Sequence, residues 1–80
     1  GGMTRQQTID QAVTHSLEKY FKDLEGTPPG SIYDMVIRAV ERPMLEVVMR
    51  EANGNQLRAS EMLGINRNTL RKKLQLHRML

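Results

Sequence analysis

Apolar residues recur at intervals of three and four along most of this 80-residue chain. This spacing places side chains on one face of an α-helix, and the alternation of period two that is typical of strands is not found. The pattern therefore predicts an all-α fold of four helices, over residues 8–24, 31–51, 56–63 and 67–77.

Glycine, proline and asparagine separate the predicted helices. Gly26-Thr27-Pro28-Pro29-Gly30 ends the first, because proline cannot continue a helix and glycine suits a C-terminal cap. Ser31 is then a candidate N-cap for the second helix. Asn53-Gly54-Asn55 and Gly64-Ile65-Asn66 are the other two breaks, in which Asn55 and Asn66 are the expected N-caps of the helices that follow.

Pro43 lies inside the second predicted helix, where proline removes a backbone hydrogen bond and usually causes a break. The apolar register nevertheless keeps its phase across Pro43, from Ile32 and Val36 to Val47. Two independent helices would have no reason to keep one phase. We therefore predict a single, kinked helix.

Composition excludes several classes of protein. Eighty residues form one small domain, and the absence of cysteine rules out disulfides and thiolate metal sites. With His15 and His77 as the only histidines, we expect no metal and no cofactor. No nucleophile has an evident base or pocket, so we expect no enzyme. Without a membrane span or signal pattern, a cytoplasmic protein is expected.

Residues 1–7 are interpreted as a short flexible start, with Gly1-Gly2 a cloning scar before Met3.

Positive charge is concentrated at the C-terminal end. Residues 1–53 carry six Lys/Arg and eight Asp/Glu, a net charge of −2, whereas residues 54–80 carry six Lys/Arg and one Glu, a net charge of +5. This asymmetry indicates a polyanionic partner for residues 54–80. A solvated helix face is the alternative that charge alone leaves open.

The last two predicted helices have the spacing of a helix-turn-helix, two short helices joined by a three-residue turn with glycine. Gly64 allows a positive φ in this turn. Leu70 and Leu74 form the inward seam of the last helix, and its first turn would enter a major groove first. A small core between the two helices is expected from Leu57, Ala59, Leu63 and Ile65, with Ser60 in a close-packed position.

The sequence resembles Fis, the factor for inversion stimulation, a bacterial nucleoid-associated family. The resemblance rests on RPMLEVVMREANGNQLRASEMLGINRNTLRKKL, together with SLEKYFKDLEG and IYDMVIRAVERP. It implies an intertwined homodimer, with residues 8–53 as dimerisation helices and residues 54–80 as the DNA-binding unit. The expected dimer core is Val13, Leu17, Tyr20, Phe21, Ile32, Val36, Val40, Met44, Val47 and Val48.

The same resemblance implies the DNA contacts. Arg67 would read a guanine near the edge of each half-site, and Asn66 would contact neighbouring bases. Backbone contacts are implied for Thr69, Lys72 and Lys73, and Arg71 would reach either a base or a flanking phosphate. Arg58 would lie near flanking DNA and favour bending. The resemblance further implies that the paired recognition helices are too close for straight DNA, so that the site would bend, which A/T-rich centres tolerate best. Sequence specificity would then be relaxed and largely indirect. The full expected set is Asn55, Arg58, Asn66, Arg67, Asn68, Thr69, Arg71, Lys72 and Lys73.

Three departures distinguish this chain from the better-known Fis proteins. Leu57 replaces a threonine, and Asn68 replaces a glycine at the groove entrance. Fewer than ten residues precede the first predicted helix, whereas the better-known members carry a long N-terminal β-hairpin arm that touches DNA invertases, so an invertase partner is not expected. The leading hypothesis is a DNA-bending transcriptional regulator of the nucleoid. The alternatives are a recruitment module for RNA polymerase or a recombinase, using Gln56-Leu57-Arg58, and a detached output domain of an NtrC-type activator.

Overall fold

The computed structural model describes residues 7–80 and contains four α-helices in this range: α1 (Ile9–Leu24), α2 (Ile32–Glu51), α3 (Gln56–Leu63) and α4 (Arg67–Leu76). No strand occurs among these residues, so the all-α prediction is confirmed. The expected cloning scar and most of the expected flexible start lie outside the described residues. None of the helices in residues 7–80 has the length and apolar character that crossing a membrane requires.

The chain divides into two compact units, one up to Val36 and one from Ile37 to Leu80. In the first unit, α1 begins with a capping box: the Thr8 hydroxyl accepts from the Gln11 N–H, and the Gln11 side chain accepts from the Thr8 N–H at 3.1 Å. Left-handed backbone at Glu25 (φ 51°) and Gly26 (φ 89°) ends the helix. The Tyr20 and Phe21 rings meet edge to face, with centroids 5.6 Å apart. No residue of α1 is fully buried.

Helix α2 is continuous through Pro43, which confirms the prediction made from the apolar register. Proline has no N–H, so the Ala39 carbonyl loses its helical donor. Ala39 is exposed, and solvent can supply the missing hydrogen bond. The predicted kink remains a prediction.

The second unit has the only fully buried apolar residues in the described part of the chain: Leu45, Ala52, Ala59, Leu70 and Leu74. They come from the C-terminal half of α2, the loop that follows it, α3 and α4. The C-terminal half of α2 therefore forms a common core with the last two helices. Partly buried residues pack around this core: Val48, Met49, Leu63, Ile65 and Met79.

The structure corrects one member of the expected helix-turn-helix core. Ala59 is fully buried, and Leu63 and Ile65 pack against the core as expected, but Leu57 is 52% exposed. Positions two apart on a helix lie about 200° from each other, so Leu57 and Ala59 cannot share an inward face. Ser60 is buried as expected, and its hydroxyl donates to the Leu57 carbonyl at 2.7 Å.

Candidate nucleic-acid interface

The turn between α3 and α4 has the geometry that its three residues predict. Gly64 ends α3 with φ 75°, and the Ile65 N–H donates to the Ser60 carbonyl at 3.1 Å. This hydrogen bond, together with the left-handed glycine, is a Schellman-type C-cap. Asn66 follows in extended backbone, and its side-chain oxygen accepts from the Asn68 N–H at 2.7 Å. The turn therefore ends one helix and begins the next within three residues.

Asn55 has the same role at the start of α3. Its backbone is extended, and its side-chain oxygen accepts from the Arg58 N–H at 3.0 Å. The preceding residues, Asn53 (φ 55°) and Gly54 (φ 79°), are both left-handed, which accounts for the sharp end of α2. The capping roles predicted for Asn55 and Asn66 are confirmed.

Helix α4 separates its apolar and basic side chains. Leu70 and Leu74 are 0% and 1% exposed and pack into the core. Elsewhere on the helix, Arg67, Arg71 and Lys72 are exposed, and no acidic side chain among residues 7–80 forms an ion pair with any of them. Their charges add to the positive end of the helix dipole, which also favours anions at the start of α4. The first part of α4 therefore presents uncompensated positive charge to solvent.

Eight of the nine residues expected to contact DNA are exposed. Two stand at the start of α3, Asn55 and Arg58, and the other six follow the Gly64-Ile65 turn. The ninth is Lys73, whose environment is different: its side chain is 34% exposed, and its Nζ lies 2.6 Å from the Glu41 Oε2 atom. The six residues of the second group are Asn66, Arg67, Asn68, Thr69, Arg71 and Lys72.

Glu41 belongs to a buried charged cluster that the sequence analysis did not identify. The residue is 8% exposed; its Oε2 atom accepts from Lys73, and its Oε1 atom lies 2.9 Å from the Nε2 atom of His77, which is 7% exposed. The hydrogen bond from Lys73 lowers the pKa of the Glu41 carboxyl below its ordinary value of 4.5, against the opposing effect of burial, and His77 contributes to the lowering.

The sequence does carry a signal for this cluster. Glu41 lies four residues before the buried Leu45, and His77 lies three residues after the buried Leu74, so both occupy the inward register of their helices. Polar groups at such positions need partners, because burial without a hydrogen bond is costly. The signal is two titratable residues on inward faces.

Comparison with known proteins gives two results. The sequence profile described as bacterial regulatory protein, Fis family, matches residues 36–76, which cover most of α2 and all of α3 and α4. Several curated proteins are similar over nearly the whole chain. One, from Neisseria meningitidis serogroup A, is 57% identical over 72 residues, which is 90% of this chain and 91% of that protein. It is named "Putative Fis-like DNA-binding protein".

Two further relatives carry the same name. The Ralstonia nicotianae protein is 54% identical over 72 residues, which cover 90% of this chain and 94% of that protein. The Pseudomonas aeruginosa protein is 50% identical over 74 residues, 92% of this chain and 71% of that protein. With this similarity over nine tenths of its length, and with the profile match over its helix-turn-helix, the chain belongs to the Fis family of bacterial regulatory proteins.

Proposed function

We propose that the protein binds double-stranded DNA as a homodimer, bends it, and acts as a transcriptional regulator of the bacterial nucleoid. The observation that carries the proposal is the exposed positive charge of Arg67, Arg71 and Lys72, which no acidic residue of the described chain compensates, on a helix that is anchored by the buried Leu70 and Leu74. Positive charge aimed outward from the second helix of a helix-turn-helix is suited to a major groove and its phosphates. The name that the relatives carry supports the DNA-binding part of this proposal.

The proposed contacts divide between bases and backbone. Arg67, the first residue of α4, would donate to guanine O6 and N7 at the groove entrance. Asn66 caps α4 and keeps its amide nitrogen available for neighbouring bases. Asn68 adds a second amide at the same end of the helix. The phosphate contacts are assigned to Thr69, Arg71 and Lys72, with Asn55 and Arg58 at the start of α3 toward flanking DNA.

The homodimer is proposed because apolar side chains on α1 and α2 stay exposed among residues 7–80. Phe21 is 48% exposed, Met44 is 42% and Val47 is 46%. Of the other expected dimer residues, Val48 packs against the core of its own chain, so we assign it there. The rest are half-buried, and a second copy of the chain would cover them: Val13, Leu17, Tyr20, Ile32, Val36 and Val40.

Bending follows from the dimer. Two recognition helices brought close by a shared α1/α2 core would reach successive major grooves only if the DNA curves toward the protein. The cost depends on the sequence at the centre of the site, and A/T-rich steps allow the minor groove to narrow most readily. Specificity would then come partly from base pairs that no side chain touches.

A second candidate function is the recruitment of RNA polymerase or a recombinase. It is favoured by two apolar side chains of α3 that face solvent, Leu57 at 52% and Met62 at 50% exposed. The neighbouring Arg58 would border this apolar pair with a charge. Leu57→Ala and Met62→Ala variants that retain DNA binding but lose activation of a reporter promoter would favour this function.

Circular permutation tests DNA bending. A fragment with an A/T-rich centre and flanking guanines is moved along a longer DNA, and the mobility of each complex is measured at low salt. We expect mobility to be lowest when the site is central, and a G/C-centred version of the site to bind more weakly. Complexes whose mobility does not depend on position would contradict bending, and the absence of a complex would contradict DNA binding itself.

A further inference from the structure

Two adjacent lysines of α4 have different environments. Lys72 is exposed, and no acidic residue of the described chain pairs with it. The side chain of Lys73 is 34% exposed, and its ammonium lies 2.6 Å from a carboxylate that is itself buried. The two residues carry the same charge one position apart, and they form a matched pair for experiments.

The carboxylate that holds Lys73 has both oxygens occupied. Glu41 Oε2 accepts from Lys73, and Oε1 lies 2.9 Å from the His77 ring. The other charged group beside the cluster is Arg42, whose Nη1 donates to the His77 carbonyl at 2.7 Å and whose Nε lies 3.5 Å from Glu46. Contacts from α2 thus hold α4 at Lys73 and the chain just after α4 at His77.

Moving Lys73 onto a DNA phosphate would leave the Glu41 carboxylate buried with one partner fewer. A buried charge that loses its hydrogen bond is strongly destabilised, whereas an exposed lysine exchanges water for phosphate at little cost. Lys72 is therefore free to neutralise a phosphate, and Lys73 is held inside the protein.

We propose that Glu41 is a positioning residue that acts through Lys73: it holds α4 on α2 and neutralises Lys73, so that Lys73 displaces no counterion from DNA. The inference rests on the proposed function, since it assumes that α4 docks on DNA. It replaces the expectation that Lys73 is a phosphate contact.

The salt dependence of DNA affinity measures this directly. Each phosphate that a protein neutralises adds about −0.9 to the slope of log K against log salt concentration, which is about a 3.5-fold change in affinity between 50 and 200 mM. Because the proposed homodimer carries two copies of each residue, we expect Lys72→Met to make the slope shallower by about 1.8 and Lys73→Met to leave it unchanged, whatever its affinity at one salt concentration. A slope for Lys73→Met as shallow as that of Lys72→Met would overturn the proposal.

Removing the charge of Glu41 reverses the expectation. In Glu41→Gln the ammonium of Lys73 is released in both protomers of the proposed homodimer, and the slope should steepen by about 1.8. Adding Lys73→Met to Glu41→Gln should then return the slope to that of the wild-type protein. An unchanged slope in Glu41→Gln would overturn the proposal, and this single variant decides the question if Lys73→Met does not fold. Circular dichroism at the assay temperature identifies the folded variants.

The same titrations separate this inference from the proposed function. If the wild-type protein does not bind DNA at low salt, the proposed function fails. If it binds, but Lys72→Met leaves the slope unchanged, the assigned docking of α4 is wrong. If Lys72→Met behaves as expected and Lys73→Met matches it, only the inference about Glu41 fails.

Discussion

At the scale of single residues, the basic side chains of α4 differ less in charge than in what surrounds them. Arg67 and Arg71 face solvent without an acidic partner among residues 7–80, whereas Lys73 is held by a buried glutamate. Counting charges in the sequence treats these three residues alike. Their roles follow from burial and pairing, and two predictions test them separately.

Arg67→Ala should remove the preference for guanine at the edge of each half-site. A bidentate arginine–guanine contact discriminates by about 1–3 kcal/mol, so the wild-type protein should prefer guanine about 5- to 150-fold and the variant should lose most of this preference. Competition gel shifts with each of the four bases at that position measure it. Arg78→Ala is the control, an exposed arginine beyond α4. Guanine preference that persists in Arg67→Ala would show that the docking register is misplaced.

Glu41 should make the folded protein sensitive to acid. The folded-state pKa of the Glu41 carboxyl lies below the ordinary value of 4.5, chiefly because of the hydrogen bond from Lys73. The stability that the ionised carboxylate contributes is therefore present above the ordinary value and is lost as the pH falls through the folded-state pKa. The melting temperature should therefore fall less between pH 6 and pH 3 in Glu41→Gln than in the wild-type protein. Glu51→Gln, an exposed glutamate on the same helix, is the control. Equal acid sensitivity in Glu41→Gln and the wild-type protein would contradict this role.

At the scale of helices and turns, the predictions from the sequence agree with the structure where neighbouring residues alone determine the backbone conformation. Asn55, Gly64 and Asn66 determine where α3 ends and where both α3 and α4 begin, and their preferred conformations are the ones that the structure contains. The continuity of α2 through Pro43 was predictable because the apolar register spans the proline. The capping box of Thr8 and Gln11 is equally local, and its sequence signal is a threonine followed three residues later by a glutamine.

Tertiary contacts were harder to predict. The partnership of Glu41 with Lys73 and His77 joins residues 32 and 36 positions apart, and no local pattern pairs them. The error at Leu57 had a different cause, because the expected core included two positions that lie on opposite sides of one helix. Exposure does not identify a DNA contact, so the eight exposed residues remain proposed contacts, whereas Lys73 is assigned to Glu41.

The positive φ of Gly64, in the turn between α3 and α4, leads to a prediction at this scale. In Gly64→Ala the new Cβ would meet no atom within 4 Å, but φ stays at +75°, where an L-residue is strained. We expect a loss of about 1–2 kcal/mol in the free energy of unfolding. Gly30→Ala is the matched control, since its Cβ also meets nothing within 4 Å and its φ is not in the positive range. Urea unfolding compares the two, and equal effects would show that left-handed backbone is not what Gly64 provides.

At the scale of the whole molecule, the chain buries few apolar side chains for its length. The fully buried residues of the described chain all lie between Glu41 and His77, and α1 has none. A chain of about 80 residues has limited surface to bury, and small domains of this size often depend on a partner for stability. A second copy that covers α1 and the exposed apolar residues of α2 would supply the missing burial.

Met44→Glu should therefore dissociate the proposed homodimer. Met44 is 42% exposed on α2, and a glutamate there would carry an unpaired charge into the interface. Light scattering should give the wild-type protein about twice 9.2 kDa and the variant close to 9.2 kDa. Tyr33→Glu is the control on the same helix: Tyr33 is 77% exposed and not in the proposed dimer core, so this variant should remain dimeric.

Dilution supplies a second measurement of the same dimer. Because association stabilises only the folded chain, the wild-type melting temperature should rise with protein concentration, and that of Met44→Glu should not. A wild-type protein that scatters light as a monomer and melts independently of concentration would exclude the dimer. Without a dimer there would be no paired recognition helices and no reason to expect bending. The contacts proposed for Arg67 and Lys72 would still hold for a single helix-turn-helix.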